Sequence, residues 1–251
     1  VLLNSVTLLL GSAISYMLAR KTLRPIEEAM AAQDRFIADA SHELRTPLTG
    51  LLLDNEVTLR KKSLTAKDVR MAMERNVQGL TKLKDLSDTL LDLVARQQKN
   101  APRTVVSVEQ IVRSAVSQVA PMANKKHITF VQNIANNTLT IDEAKLTKLL
   151  VILYDNAIKY SKPHTTVTLS SESVGSDILL TVHDQGIGMS HEEKEHIFDR
   201  LYRADASRSH GDGYGLGLAI ARKLAHDLNG SIAVQSEPGH GSTFTVRLPR
   251  S

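Results

Sequence analysis

Ser41-His42-Glu43-Leu44-Arg45-Thr46-Pro47 is the stretch on which the reading of this chain turns. It sets a histidine beside a carboxylate. Around it, Ile26, Met30, Gln33, Ile37, Ala40, Leu44, Pro47 and Leu51 recur by alternating fours and threes. That is the 3.5-residue period of a helix packed in a bundle or coiled coil. With Ala40 and Leu44 on the seam, His42 falls near the opposite face, where its ring is open to a partner domain. A histidine with an ordinary titration point, about 6.5, is mostly neutral at pH 7 and therefore nucleophilic. Glu43 is adjacent and suited to accept the proton released in an attack. Thr46, one turn along, is near enough to position a water or a phosphate. Pro47 removes a helix hydrogen bond, so a bend is expected there. A lone His-Glu pair is ordinarily a solvated surface pair. A metalloprotease zinc site is excluded, because no second histidine follows at the required spacing.

Further along, Lys61-Lys62-Ser63-Leu64-Thr65 reads as a turn with Thr65 as N-cap. A second helix then carries Val69, Met73, Val77, Leu80, Leu83, Leu86, Leu90 and Leu93. Two striped helices bury little surface alone, so the expected solution is a homodimer that closes a four-helix bundle. Before the histidine, residues 1–19 contain no charged side chain and are followed by Arg20, Lys21 and Arg24. As a helix they would span about 28 Å. The expectation is a transmembrane helix over 1–19, truncated because the chain opens on Val1, with a basic cytoplasmic flank. Residues 20–35 then form a juxtamembrane signalling helix, and 36–99 the hairpin. The protein is expected at the cell membrane with its working end in the cytoplasm.

Asn100-Ala101-Pro102-Arg103 reads as a linker, and 104–250 as a second domain. Helices are expected at 109–124, 142–160 and 216–228, with a short acidic one from Ser190. Strands are expected at 127–132, 165–171, 178–183, 231–236 and 242–248. This order implies an α/β two-layer sandwich. The fold class is therefore multidomain: a dimeric all-α hairpin followed by that sandwich. The 251 residues are 42% hydrophobic but only 4% aromatic, so the core must be aliphatic. A net charge of +4 without a basic, aromatic-interleaved run argues against nucleic acid. The absence of cysteine excludes thiolate metal sites, disulfides and a cysteine nucleophile.

No P-loop occurs, so phosphates must be held otherwise. Asp184 ends a strand and is followed by Gly186 and Gly188, which permit a tight turn close to a ligand. Its carboxylate suits an adenine amino group. On the preceding helix Asn156, Lys159 and Tyr160 share one face. Asn156 offers an oxygen to a hard cation such as Mg²⁺, Lys159 a charge to phosphate, and Tyr160 an aromatic wall. Between Asp199 and Gly217 the chain is polar and irregular, with Gly211, Gly213, Gly215 and Gly217 as hinge points leading into a helix N-terminus.

The block around His42 resembles the phosphoacceptor box of two-component sensor histidine kinases. The later segments resemble that family's nucleotide-binding boxes in order: Asn156 with Lys159; Asp184-x-Gly186-x-Gly188; Ile197 to Arg203; Gly213-Tyr214-Gly215-Leu216-Gly217-Leu218; and Gly239-x-Gly241-Ser242-Thr243-Phe244. The resemblance runs from about Pro25 to Arg250 and extends to the wider gyrase and heat-shock-chaperone ATPase group. It implies ATP and Mg²⁺ as cofactors, with the metal on Asn156, adenine read by Asp184, and phosphates contacted by Lys159 and Arg203. It implies that His42 is phosphorylated, with Glu43 as acid/base partner. The phosphoryl group then passes to an aspartate of a cognate response regulator. Glu43 and Thr46 also match a pattern linked to dephosphorylating that regulator. Ile152 departs from the family, standing where many members carry a further Asn.

Overall fold

The computed structural model describes residues 2–61, 63–94, 103–203 and 214–250. The chain forms two compact units, Val1–Leu83 and Lys84–Ser251. Helix α1 runs without interruption over Leu2–Arg60, and α2 over Ala66–Val94. Neither Pro25 nor Pro47 ends α1. The turn between the helices is closed as expected. Thr65 Oγ1 accepts from the Asp68 amide at 3.2 Å, and the Asp68 carboxylate accepts from the Thr65 amide at 3.1 Å. Lys61 adds an ion pair to Asp68 at 3.0 Å. These bonds to Thr65 and Lys61 hold the Asp68 carboxyl down at about 2.

The membrane helix expected over 1–19 is not supported: among the described residues no helix is long and apolar enough to cross a membrane. The separate segments expected at 1–19 and 20–35 are parts of the one helix α1. The linker expected at 100–102 lies outside the described residues.

Within the hairpin the stripe read from the sequence is half-buried or buried at Ala40, Leu44, Pro47 and Leu51 of α1 and at Leu83, Leu86 and Leu90 of α2, and it departs from the buried positions over the first half of α2. There the half-buried positions include Ala72, Asn76 and Gly79, small or polar residues at heptad spacing. Asn76 exchanges two side-chain hydrogen bonds with Asn55 of α1, at 2.7 and 3.2 Å. Gly79 makes room for Leu51, whose side chain fills the space a Cβ would need. Met73, Val77 and Leu80, one position over, are 63%, 63% and 59% exposed.

The second unit is the expected two-layer sandwich. Strands β2 (Thr129–Ile134), β4 (Thr166–Val174), β5 (Asp177–Asp184), β7 (Ser242–Pro249) and β6 (Ser231–Ser236) lie in that spatial order. The β2–β4 pair is parallel and the others are antiparallel. Two short strands that the sequence reading did not mark, β1 (Thr104–Ser107) and β3 (Thr138–Ile141), pair separately. Alternate residues of the central strands point to one face: Val167 and Leu169, then Ile178, Leu180 and Val182, then Phe244, Val246 and Leu248. Helices α3 (Val108–Lys126), α4 (Glu143–Tyr160) and α6 (Gly217–Asp227) share that core. A short helix, α5 (His191–His196), opens on a capping box between Ser190 and Glu193.

Candidate functional site

α4 sets the first wall of the site. Asp142 caps it by accepting from the Lys145 amide at 3.1 Å. Leu146, Leu149, Leu150, Leu153 and Tyr154 bury one face completely, which turns Ile152, Asn156, Lys159 and Tyr160 outward to a cavity of about 290 Å³. The Asn156 side-chain amide donates to the Ile152 carbonyl at 2.9 Å. Its Oδ1 takes no hydrogen bond among the described residues, so an oxygen ligand is presented to the cavity. The Lys159 ammonium lies 5.5 Å from the centre of the Tyr160 ring.

The opposite wall is the turn after β5. Asp184 is 4% exposed. Its Oδ1 accepts from the amides of Gly186 at 2.8 Å and Ser242 at 3.2 Å. Oδ2 has no hydrogen-bond partner among the described residues, so one carboxylate oxygen is fixed and the other is on offer. Burial pushes this carboxyl up from its usual range, while the two amides and nearby His183 pull it back. Gly188 takes φ +68° with its α-carbon pressed against the Glu237 carbonyl, a place no side chain fits.

The third wall joins two separated segments. The Leu201 amide donates to the Gly215 carbonyl at 2.9 Å. Gly215, at φ +68°, lies where a Cβ would meet the Tyr202 carbonyl at 2.5 Å. Tyr202, Arg203, Tyr214 and Gly215 thus reach the cavity together. Gly217 starts α6 with no side-chain cap, and a Cβ there would sit 3.6 Å from Asn156 Nδ2. The first turn of α6 therefore faces Asn156, the arrangement in which helix amides receive an anion.

Of the expected nucleotide residues, Asn156, Lys159, Tyr160, Asp184, Gly188, Arg203, Gly215 and Gly217 line this cavity. Gly186 stands behind it, where its amide orients Asp184. Leu216 is buried, at 2% exposure, and does not line the cavity. Gly213, like Gly211, lies outside the described residues. Of the other expected residues, His42 and Thr46 are exposed on α1 and Glu43 is half-buried. The Thr46 hydroxyl bonds back to the His42 carbonyl at 3.2 Å.

Residues 32–99 match the family model described as the His Kinase A phospho-acceptor domain. Residues 141–251 match that of the histidine kinase-, DNA gyrase B- and HSP90-like ATPases. The chain belongs to the two-component sensor histidine kinases. The kinase is 31% identical over 242 residues to the sensor protein CiaH of Streptococcus pneumoniae, covering 96% of this chain and 54% of that relative. It thus spans about half the length of the curated relatives it matches. Among solved structures, full-length ShkA in complex with AMPPNP is 26% identical with a TM-score of 0.63, over 86% of this chain and 45% of that one. ThkA in complex with the response regulator TrrA is 19% identical with a TM-score of 0.73, over 90% and 64%, which shows the shared fold.

The sequence reading of this kinase missed several cavity residues: Asp155, Met189, Glu193, Tyr202 and Tyr214. A signal for the last two was present. Three of only five tyrosines in the chain line the cavity, and two of them stand in or beside a segment whose sequence is polar and glycine-rich. Aromatic rings lining a cavity suit a planar ligand.

Proposed function

We propose that this kinase phosphorylates His42 from ATP and hands the phosphoryl group to an aspartate of a response regulator. The observation that carries the proposal is the convergence on one cavity of Asn156, Lys159, Asp184, Gly188, Arg203 and Gly217, which come from separate segments. Asp184 Oδ2 accepts a hydrogen bond from the adenine amino group, and Tyr160, Tyr202 and Tyr214 wall the base and sugar. Lys159, Arg203 and the first turn of α6 face the phosphates. Asn156 Oδ1 is the residue oxygen that fits Mg²⁺, and a cation held there neutralises triphosphate charge. A nitrogen of the His42 ring attacks the γ-phosphorus and the bond to the ADP oxygen breaks. Glu43 takes the proton that the ring releases.

Several further statements belong to the same proposal. The hairpin (36–99) and the catalytic domain (104–250) form the working halves. The hairpin pairs with a second copy through the exposed Met73, Val77 and Leu80. The fold neighbour ThkA is seen with a response regulator, which supports that class of partner here. Glu43 and Thr46 serve in removal of phosphate from the regulator, and the kinase works in the cytoplasm. A membrane anchor over 1–19 is not part of the proposal.

The test is His42→Gln in the full chain. The variant is expected to bind ATP as the parent does and to take up no phosphate from γ-labelled ATP with Mg²⁺. Undiminished labelling of the variant would refute the assignment of the acceptor.

A further inference from the structure

α4 ends beside the cavity, and its last four carbonyls need partners from outside the helix ladder. Each has one. The Ser161 amide donates to Ala157 O at 3.1 Å, and the Ile187 amide to Tyr160 O at 3.3 Å. The two carbonyls between them, of Ile158 and Lys159, both accept from the ammonium of Lys126, at 2.9 and 2.7 Å. The same nitrogen reaches Ser161 O at 3.3 Å. Lys126 is the last residue of α3, is half-buried, and does not line the cavity. Its charge also opposes the negative end of the α4 dipole.

What it holds is the base end of the pocket. The last turn of α4 carries Lys159 and Tyr160. Beyond it the chain is stitched to the Asp184 turn by the Ile187 bond and by an antiparallel bridge between Ser161 and Gly186. Ile187 in turn accepts from the Gly239 amide at 2.7 Å. Lys126, the end of α4 and the Asp184–Gly188 turn are thus connected in series.

We infer that Lys126 is a positioning residue for nucleotide binding: it fixes the end of α4 against the turn that presents Asp184. The inference rests on the nucleotide reading of the cavity. Without the ammonium, two carbonyls lose their partner and the last turn frays, so Tyr160 and Ile187 drift relative to Asp184. Asn156 lies a turn earlier, inside the intact ladder, and keeps its place. Affinity falls while transfer from bound ATP proceeds.

The test measures autophosphorylation against ATP concentration, together with equilibrium binding of a fluorescent ATP analogue, on the full chain. Lys126→Met is expected to raise KM and the analogue Kd roughly tenfold, the scale of lost bonds to a charged donor, with kcat within about twofold of the parent. Lys126→Arg restores donors and recovers most of the affinity. Lys125→Met, an exposed neighbour on α3, controls for charge and leaves KM unchanged. Exchange of the Ile187 amide quickens in Lys126→Met. An unchanged KM, or a fall in kcat at constant KM, overturns the inference, as does failure of Lys126→Arg to recover affinity. If Lys126→Met does not fold, Lys126→Gln is judged by the same KM and kcat criteria. Wild-type protein that binds no analogue counts against the nucleotide reading itself, which separates the two failures.

Discussion

Burial pushes the Asp184 carboxyl up, and the folded state therefore tolerates its proton better than its charge. For a group raised in this way, the stabilising contribution is complete below the unfolded value and is lost as pH rises through the folded one. The charged form at neutral pH is thus held at a cost in stability. Asp184→Asn keeps an oxygen for the amides of Gly186 and Ser242 and removes that charge. We predict a Tm at pH 7 equal to or above the parent's, a gap that narrows as pH falls, and loss of nucleotide affinity by at least about tenfold. A clear drop in Tm at pH 7 would show that the charge is stabilising where it stands. Asp184 was legible in the sequence because a carboxylate followed by two spaced glycines has few uses. Lys126 was not, because its role depends on where α3 ends relative to α4, and no local pattern records that distance. Leu216 was misplaced for a related reason: it shares a glycine-rich block with Tyr214, Gly215, Gly217 and Leu218, which line the cavity, while its own side chain is buried.

At the scale of elements, the hairpin shows what periodicity reports and what it hides. A search for large apolar residues finds Val69, Met73, Val77 and Leu80, which are exposed. Over the first half of α2 the half-buried positions are instead Ala72, Asn76 and Gly79, residues that carry little hydrophobic signal, whereas the expected Leu83, Leu86 and Leu90 further along are half-buried or buried. The Asn55–Asn76 pair is a half-buried polar rung, so removing one partner strands the other. Asn55→Ala is predicted to destabilise the hairpin by about 1–2 kcal/mol, read by chemical denaturation. The double change to Leu at both positions should recover that loss or exceed it, and a double variant no more stable than Asn55→Ala would show that the rung is not an isolated pair. The turn carries its own pH signature. Asp68 is held at about 2, below the ordinary value of 3.8. Its stabilisation is present above the unfolded value and is lost as pH falls through about 2. Thr65→Ala should move the Asp68 midpoint upward in an NMR titration, and an unmoved midpoint would mean that Lys61 and the amide of residue 65 hold it without the hydroxyl. In the second unit α4 was readable because the cap Asp142 stands at its start, and even the short α5 announces itself through Ser190. β1 and β3, four residues each, are too short for alternation to register.

At the scale of the whole molecule, the exposed Met73, Val77 and Leu80 form an apolar face that a second hairpin would cover. Val77→Glu places a charge on it. We predict that sedimentation finds the parent chain as a dimer and this variant shifted to monomer, with nucleotide binding intact because the cavity lies wholly within the second unit. A parent chain that sediments as a monomer would remove the bundle from the account. The two-part organisation was legible because each part has its own period, 3.5 in the hairpin and alternation in the sheet.

The central claim is that an imidazole on α1 receives the phosphoryl group from ATP bound in the second unit. Its most direct measurement is incubation of the full chain with γ-labelled ATP and Mg²⁺, followed by the chemical stability and position of the label. The account predicts label that survives alkali, is lost in acid, and maps to His42. Acid-stable label on serine, threonine or tyrosine, or release of free phosphate with no labelled protein, would contradict it.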